Sequence, residues 1–407
     1  MATSFPVDQI KVLLLENIHP TAHEIIRAQG FQVEALTKAL PEEELAEKLR
    51  DVHVLGIRSK TQVTDRALRD ARRLLTVGCF CIGVNQVDLS AANRRGIPVF
   101  NAPFSNTRSV AELIIGEIVM LARRLFDRSS EIHQGRWRKV ATGAVEVRGK
   151  TVGIIGYGHI GSQVGVLAES MGMRVLFHDI ASKLPMGNNT AVSSLPELLA
   201  GSDFVTLHVP ETPQTRNLIG APELALMRKG ASLLNASRGT VVDIPALAAA
   251  LKSGQVGGAA VDVYPEEPEQ NSDAFMTPLR GLSNVILTPH IGGSTGEAQA
   301  AIGREVSATL LKFVNGGATT GAVNFPQVEL QPVRNTHRIL NVHRNVPGVL
   351  RDINRIIGDC NANIHSQVLT TDATVGYLIM DLDQDVSNEV RKTIAALDTN
   401  IKTRILY

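Results

Sequence analysis

The sequence predicts an α/β protein made of two parallel, doubly wound sheets followed by a small βαββαβ module. Three observations predict it. Short β-rich runs alternate with amphipathic helical stretches between residues 10 and 100, and the alternation restarts at Lys150. From His337 the order becomes strand, helix, strand, strand, helix, strand. The length of 407 residues agrees, since single cores stop growing near ~250 to 300 residues.

The first alternation places strands at residues 12–15, 31–36, 54–57, 74–77 and 97–100. Stretches 42–50 and 65–73, with apolar residues three and four apart among charges, cover them as helices. Residues 110–132, rich in Ala and Leu with Gly116 the only breaker, read as one long helix into the next domain. There, strands are expected at 152–155, 174–178, 204–208, 232–235, 259–263 and 285–287, a six-strand set. The helical segment 297–314 has no following sheet of its own and returns to the first domain, which is therefore discontinuous. The expected boundaries are 1–107 with 292–326 for a flavodoxin-like substrate domain and 108–291 for a nucleotide domain. A polar linker follows at 327–336, and the terminal module occupies 337–407.

Composition removes several function classes. Lys plus Arg number 41 against 40 Asp plus Glu, so a net charge of +1 supplies no global field for nucleic acid or anionic lipid. Residues 1–15 lack a basic flank and an unbroken apolar core, and no run approaches the ~18 apolar residues of a span, so the expectation is a soluble, cytoplasmic protein. Three cysteines are too few for a disulfide framework, and Cys79-Phe80-Cys81 is too tight a loop for an ordinary bridge. They read as thiols, and no residue is assigned to a metal.

Gly156-Tyr157-Gly158-His159-Ile160-Gly161 matches G-x-G-x-x-G, and its context carries the assignment. A buried strand precedes it, and Ile160, Val164, Leu167, Ala168 and Met171 form one helical face after it, as in a Rossmann domain. Gly156 permits the tight turn, Gly158 lets backbone approach a pyrophosphate, and Gly161 lets helix pack on strand. Asp179, closing the next strand, can accept both adenosine ribose hydroxyls and would repel a 2′-phosphate. NAD is therefore expected over NADP.

Ligands of doubly wound sheets sit at the carboxyl ends of strands. Those ends carry Ala236-Ser237-Arg238-Gly239, then Tyr264-Pro265-Glu266-Glu267-Pro268, then Thr288-Pro289-His290. A cation, a carboxylate and an imidazole around one crevice suit proton-coupled hydride transfer. His290 takes the hydroxyl proton, Glu267 holds its tautomer and favours its charged form, and Arg238 binds a substrate carboxylate.

At these residues the sequence resembles the D-isomer-specific 2-hydroxyacid dehydrogenases, whose catalytic set is Arg, Glu and His. The match runs over nearly the whole chain. Gly78-Cys-Phe-Cys-Ile-Gly83, Asn101-Ala-Pro-Phe-Ser-Asn-Thr-Arg-Ser109 and the terminal module make the sequence resemble one branch of that family in particular, and the resemblance implies oxidation of 3-phospho-D-glycerate to 3-phosphooxypyruvate at the start of serine synthesis. The resemblance implies that Ala236, Ser237, Arg238, Asp262, His290, Gly292 and Gly293 join Gly156, Gly158, His159, Ile160, Gly161 and Asp179 at the cofactor. A phosphorylated substrate needs further cations, and Arg58-Ser59-Lys60 ends a first-domain strand, with Asn106, Arg108 and Lys139 as other candidates. Relatives often carry Arg where Lys60 stands, and Lys offers a point charge instead of a bidentate clamp. Cys81 reads as packing.

His343-Arg344-Asn345-Val346-Pro347-Gly348-Val349-Leu350 resembles the start of an ACT domain, a fold that binds amino acids between copies. That implies L-serine as feedback effector at His343, Asn345 and Asn363, in a homotetramer. The linker lacks the Gly pair of many short relatives, which leaves open whether the module moves. Other readings share the same residues: a dehydrogenase for 2-oxoglutarate, hydroxypyruvate or glyoxylate, or an NAD-sensing binding protein. The appended module favours the metabolic enzyme.

Overall fold

The computed structural model describes residues 6–268, 273–383 and 386–406, and the chain divides into two units, Met1–Ser105 with Gln299–Tyr407, and Asn106–Ala298. The first unit opens with five short parallel strands, β1 (Lys11–Leu14), β2 (Gln32–Ala35), β3 (Val54–Ile57), β4 (Thr76–Cys79) and β5 (Val99–Phe100), in the order β2-β1-β3-β4-β5. This is the flavodoxin-like arrangement. β3 and β4 are buried throughout, which is why they read as continuous apolar runs. Ile302, Val306, Leu310 and Phe313, from the helix Gly296–Gly316, share a core with Val12 and Phe100 of the first sheet and with Ile10 and Phe80 next to its strands.

The second unit holds seven parallel strands: β6 (Thr151–Ile155), β7 (Arg174–His178), β8 (Thr190–Ala191), β9 (Phe204–Leu207), β10 (Ala231–Asn235), β11 (Val256–Val261) and β12 (Val285–Leu287). Their order is β12-β11-β10-β9-β6-β7-β8. The strand absent from the sequence expectation is β8, two exposed residues at the edge with no apolar pattern to announce it. The single long helix expected over 110–132 is in fact two, Thr107–Arg123 and Leu125–His133. The break is at Arg124, which adopts a left-handed φ of 51° while the Val145 amide donates to the Ala122 carbonyl at 2.8 Å. Beyond it Asp127 accepts the Asn284 amide at 2.9 Å. Tertiary contacts break this helix, with neither Gly nor Pro at the site.

The terminal module belongs to the first unit. Strands β13 (His337–Arg344), β14 (Ile364–Thr371), β15 (Val375–Leu382) and β16 (Asn400–Leu406) form an antiparallel sheet ordered β14-β15-β13-β16, with helices Val349–Asp359 and Ser387–Ala395. Alternation along the strands decides what each face covers. Ile339, Leu378 and Met380 meet the module's own helices through Ile353, Ile357, Val390 and Ile394. Leu340, Val342, Tyr377 and Ile379 enter the same core as Phe313 and Phe325.

Polar groups finish this docking. Arg338 binds Asp381 through Nε at 2.7 Å and Nη2 at 2.8 Å, while its Nη1 donates to the carbonyls of Gly316 and Leu330. The Tyr377 hydroxyl donates to the Gly317 carbonyl, the Lys402 amine to that of Leu74, and Arg404 Nη2 to that of Val314, each within 2.6 to 2.8 Å. The linker is partly structural: Val328 is buried, and its carbonyl accepts the Thr319 amide. No helix among the described residues is long and apolar enough to cross a membrane.

Removing one partner of a buried ion pair leaves an uncompensated charge. Asp381→Ala is expected to cost about 3 to 5 kcal/mol of stability and lower the calorimetric Tm of the transition containing this unit. An unchanged Tm would mean that Arg338 finds its neutralisation elsewhere.

Candidate active site

The end of β6 turns directly into the helix His159–Ser170. Gly156 has φ 89°, and a Cβ there would collide with the His208 carbonyl; one on Gly161 would collide with the Gly156 carbonyl. A Cβ on Gly158 would meet nothing within 4 Å, so the loop leaves open space where the helix begins. Asp179 directly follows β7, its carboxylate accepting the amides of Tyr157 at 2.8 Å and Ala181 at 2.9 Å. The first of these bonds ties the Asp179 turn to the glycine loop. His159 is exposed, and Ile160 packs part-buried against the core. A helix N-terminus open to an anion and a carboxylate one strand away are what NAD requires of a protein, and these residues fit it.

Three strand ends converge beside it. After β10, Asn235 shapes the turn: its Oδ1 accepts the Ser237 amide and hydroxyl at 3.1 and 2.8 Å, and its Nδ2 donates to the Arg238 carbonyl at 3.0 Å. Gly239 follows because the Tyr264–Pro265 backbone passes where a side chain would stand. Arg238 is half-buried, with Nη1 on the Ser237 carbonyl at 2.7 Å. After β11, Glu267 accepts the Tyr264 amide on Oε1 at 3.0 Å.

Past β12, His290 takes a left-handed φ of 55°, and its Nδ1 lies 2.8 Å from Glu267 Oε2. A carboxylate oxygen can only accept, so Nδ1 carries the proton and Nε2 is left as the basic nitrogen. The Glu267 hydrogen bond raises the imidazole above its ordinary value, outweighing burial, and Arg238 acts weakly in the opposite direction. Burial alone would raise the Glu267 carboxyl, but the His290 bond and the Tyr264 amide bring it below its usual range. All three predicted catalytic residues are therefore within electrostatic reach of one another.

Asp262, assigned to the cofactor from sequence, organises the loop that carries His290. Its Oδ1 accepts the Thr288 hydroxyl at 2.6 Å and the Ile291 amide at 2.8 Å, its Oδ2 accepts the Gly292 amide at 2.9 Å, and its carbonyl accepts the His290 amide at 2.8 Å. Ala236 sits partly buried in the sheet core, and Gly293 lies against Asn106, whose Oδ1 is buried without a partner. Glu117, which the sequence reading passed over as a helix residue, is buried, and burial followed by the Asp262 charge pushes its carboxyl up to about 8. At neutral pH it is protonated and adds no second charge beside Asp262.

In the first unit Arg58 is half-buried, and Ser59 and Lys60 are exposed, at the end of β3. Arg108 is held by Glu112 on its own helix at 2.6 Å, and Lys139 lies on an exposed stretch. Cys81 Sγ donates to the Gly83 carbonyl and accepts from Gln86 Nε2. Of the effector residues, His343 is buried over Gly376 with Nδ1 2.8 Å from Asn341 Oδ1, and burial lowers its pKa. Asn345 is exposed, with Nδ2 donating to the Asp372 carbonyl at 2.6 Å, and Asn363 is exposed with its amide on Asp383. Glu16 and Gln86, which hold the Arg58 loop, were missed. Glu16 follows β1 and lies at a strand end, so the rule that found Arg238 would also have found it.

A family model for the D-isomer specific 2-hydroxyacid dehydrogenase NAD binding domain matches residues 115–292, and one for an AHAS small subunit-like ACT domain matches 339–402. The chain is 58% identical over 405 residues to the D-3-phosphoglycerate dehydrogenase of Dictyostelium discoideum, covering 100% of this chain and 99% of that protein. It is 52% identical over 407 residues to the D-3-phosphoglycerate dehydrogenase of Escherichia coli K12, covering 99% of each. Among solved structures, the TT0316 protein of Thermus thermophilus matches with a TM-score of 0.71 at 31% identity, over 77% of this chain and 100% of its own. D-lactate dehydrogenase from Aquifex aeolicus, complexed with NAD and lactic acid, matches with a TM-score of 0.68 at 28% identity, over 78% and 100%. With the Arg238, Glu267 and His290 cluster set beside an NAD-shaped loop, the chain is an NAD-dependent oxidoreductase that belongs to the D-isomer-specific 2-hydroxyacid dehydrogenases, in the branch of the D-3-phosphoglycerate dehydrogenases.

Proposed function

We propose that the chain oxidises 3-phospho-D-glycerate to 3-phosphooxypyruvate, the entry step of L-serine synthesis, in the cytoplasm, as a homotetramer with L-serine as its feedback effector. The observation that carries the chemistry is the 2.8 Å contact between His290 Nδ1 and Glu267 Oε2 with Arg238 in electrostatic reach. Bound NAD supplies the hydride acceptor. Arg238 binds the substrate carboxylate and orients the C2 hydroxyl. His290 Nε2 takes the hydroxyl proton, and Glu267 stabilises the imidazolium that results. Support for the phosphorylated substrate comes from the Arg58-Ser59-Lys60 loop, with Asn106 and Lys139 as further contacts, and from full-length relatives bearing that name. Exposure of Leu125, Phe126, Ile132 and Trp137 on one stretch of the second unit supports association between copies.

His290→Ala is expected to lower kcat by about 10² to 10⁴-fold in oxidation of 3-phosphoglycerate. Oxidation needs the neutral imidazole, and Glu267 raises its pKa above 6.5, so activity falls as pH drops through that raised value. Glu267→Gln removes the charge that favours the imidazolium, lowers the pKa and moves the acidic limb of the kcat/KM profile to lower pH. A limb that stays in place would exclude His290 as its origin.

NADP should support catalysis roughly 10²-fold less efficiently than NAD, because its 2′-phosphate meets the Asp179 carboxylate and forfeits its hydrogen bonds. Comparable kcat/KM with both cofactors would overturn that assignment. Calorimetry should show L-serine binding to the intact protein, weakened in Asn345→Ala, with activity measured alongside. No binding at millimolar serine would end the effector reading.

A further inference from the structure

The loop that presents Arg58, Ser59 and Lys60 is held from both sides by buried side chains to which the reaction assigns no part. Glu16, 7% exposed at the carboxyl end of β1, has a left-handed φ of 63°. Its Oε1 accepts the amides of Thr61 at 2.8 Å and Arg58 at 3.2 Å, and its Oε2 accepts the amide of Lys60 at 2.9 Å. On the other side Gln86, 3% exposed, donates from Nε2 to the Arg58 carbonyl at 2.7 Å and the Gly83 carbonyl at 3.1 Å. Three backbone N–H groups converging on one point form an anion-binding nest, and here a carboxylate of the chain fills it.

From this we infer that Glu16 is a positioning residue for recognition of the substrate phosphate, a reading that rests on the phosphorylated substrate proposed above. With the amides of Arg58, Lys60 and Thr61 bonded to Glu16, those three are withdrawn from any external anion. The phosphate then meets the side chains of Arg58, Ser59 and Lys60, whose backbone the Glu16 and Gln86 bonds hold in place. A non-glycine residue at positive φ fits this role, because the left-handed turn directs the Glu16 carboxylate beneath the loop, and its backbone conformation is strained for any side chain that gains nothing in return.

The test is Glu16→Gln. Its side-chain oxygen can replace part of the acceptor set, but its NH₂ faces an amide donor and the charge is lost. The KM for 3-phosphoglycerate is expected to rise roughly 10-fold, while kcat and the Kd for NADH, followed by fluorescence, stay within about twofold. An unchanged KM overturns the proposal. So does a parallel loss in KM, kcat and NADH affinity, which would mark general damage. If Glu16→Gln fails to fold, Gln86→Ala, which releases the loop from the opposite side, carries the same expected and contrary results. Arg58→Ala, measured in parallel, separates the two layers. A raised KM there with none in Glu16→Gln defeats the Glu16 role alone, whereas an unchanged KM in Arg58→Ala removes the phosphate reading beneath it.

Discussion

The proposed catalysis rests on how one buried carboxylate holds one loop. Asp262 is 1% exposed and gathers the Thr288 hydroxyl with the amides of Ile291 and Gly292, while its carbonyl takes the His290 amide. That set of bonds fixes the left-handed backbone of His290, and the backbone aims the imidazole at Glu267. The imidazole's tautomer, its raised pKa and its free Nε2 all follow from that placement. Glu117, kept neutral below it, spares Asp262 a competing negative charge.

The same device recurs in the first unit. Glu16 gathers three amides of the Arg58 loop as Asp262 gathers the loop of His290. In both units a loop at the end of the sheet has backbone donors satisfied from inside by a carboxylate. Parallel strands that are buried on both faces leave only their ends for chemistry, and loops there need internal partners of this kind to be preorganised.

Period and strand-end position made much of this legible. The glycine loop, Asp179, Arg238, Glu267 and His290 each follow a strand that the sequence announces as an apolar run, and the terminal βαββαβ order is equally plain. The break at Arg124 was not legible, because its cause is the Val145 amide and the Asp127 contact with Asn284, far apart along the chain. Nor was the two-residue β8, which buries nothing. The docking of the terminal module was also hidden. The sequence shows Lys402 and Arg404 as ordinary strand cations, but they end on carbonyls of Leu74 and Val314.

That docking bears on how an effector could act. Asn345 bonds the 372–375 turn through the Asp372 and Thr374 carbonyls, and the Asp372 carboxylate accepts Asn93 Nδ2 at 2.8 Å. A ligand that recruited the Asn345 side-chain amide would compete with its bond to the Asp372 carbonyl. The central claim concerns the reaction itself, and the most direct measurement uses 3-phospho-D-glycerate deuterated at C2 with NAD. The account predicts NADH carrying the deuterium at the nicotinamide ring, formed by the unmodified protein and nearly abolished in His290→Ala. Deuterium released to solvent, or no NADH formed from this substrate, would contradict it.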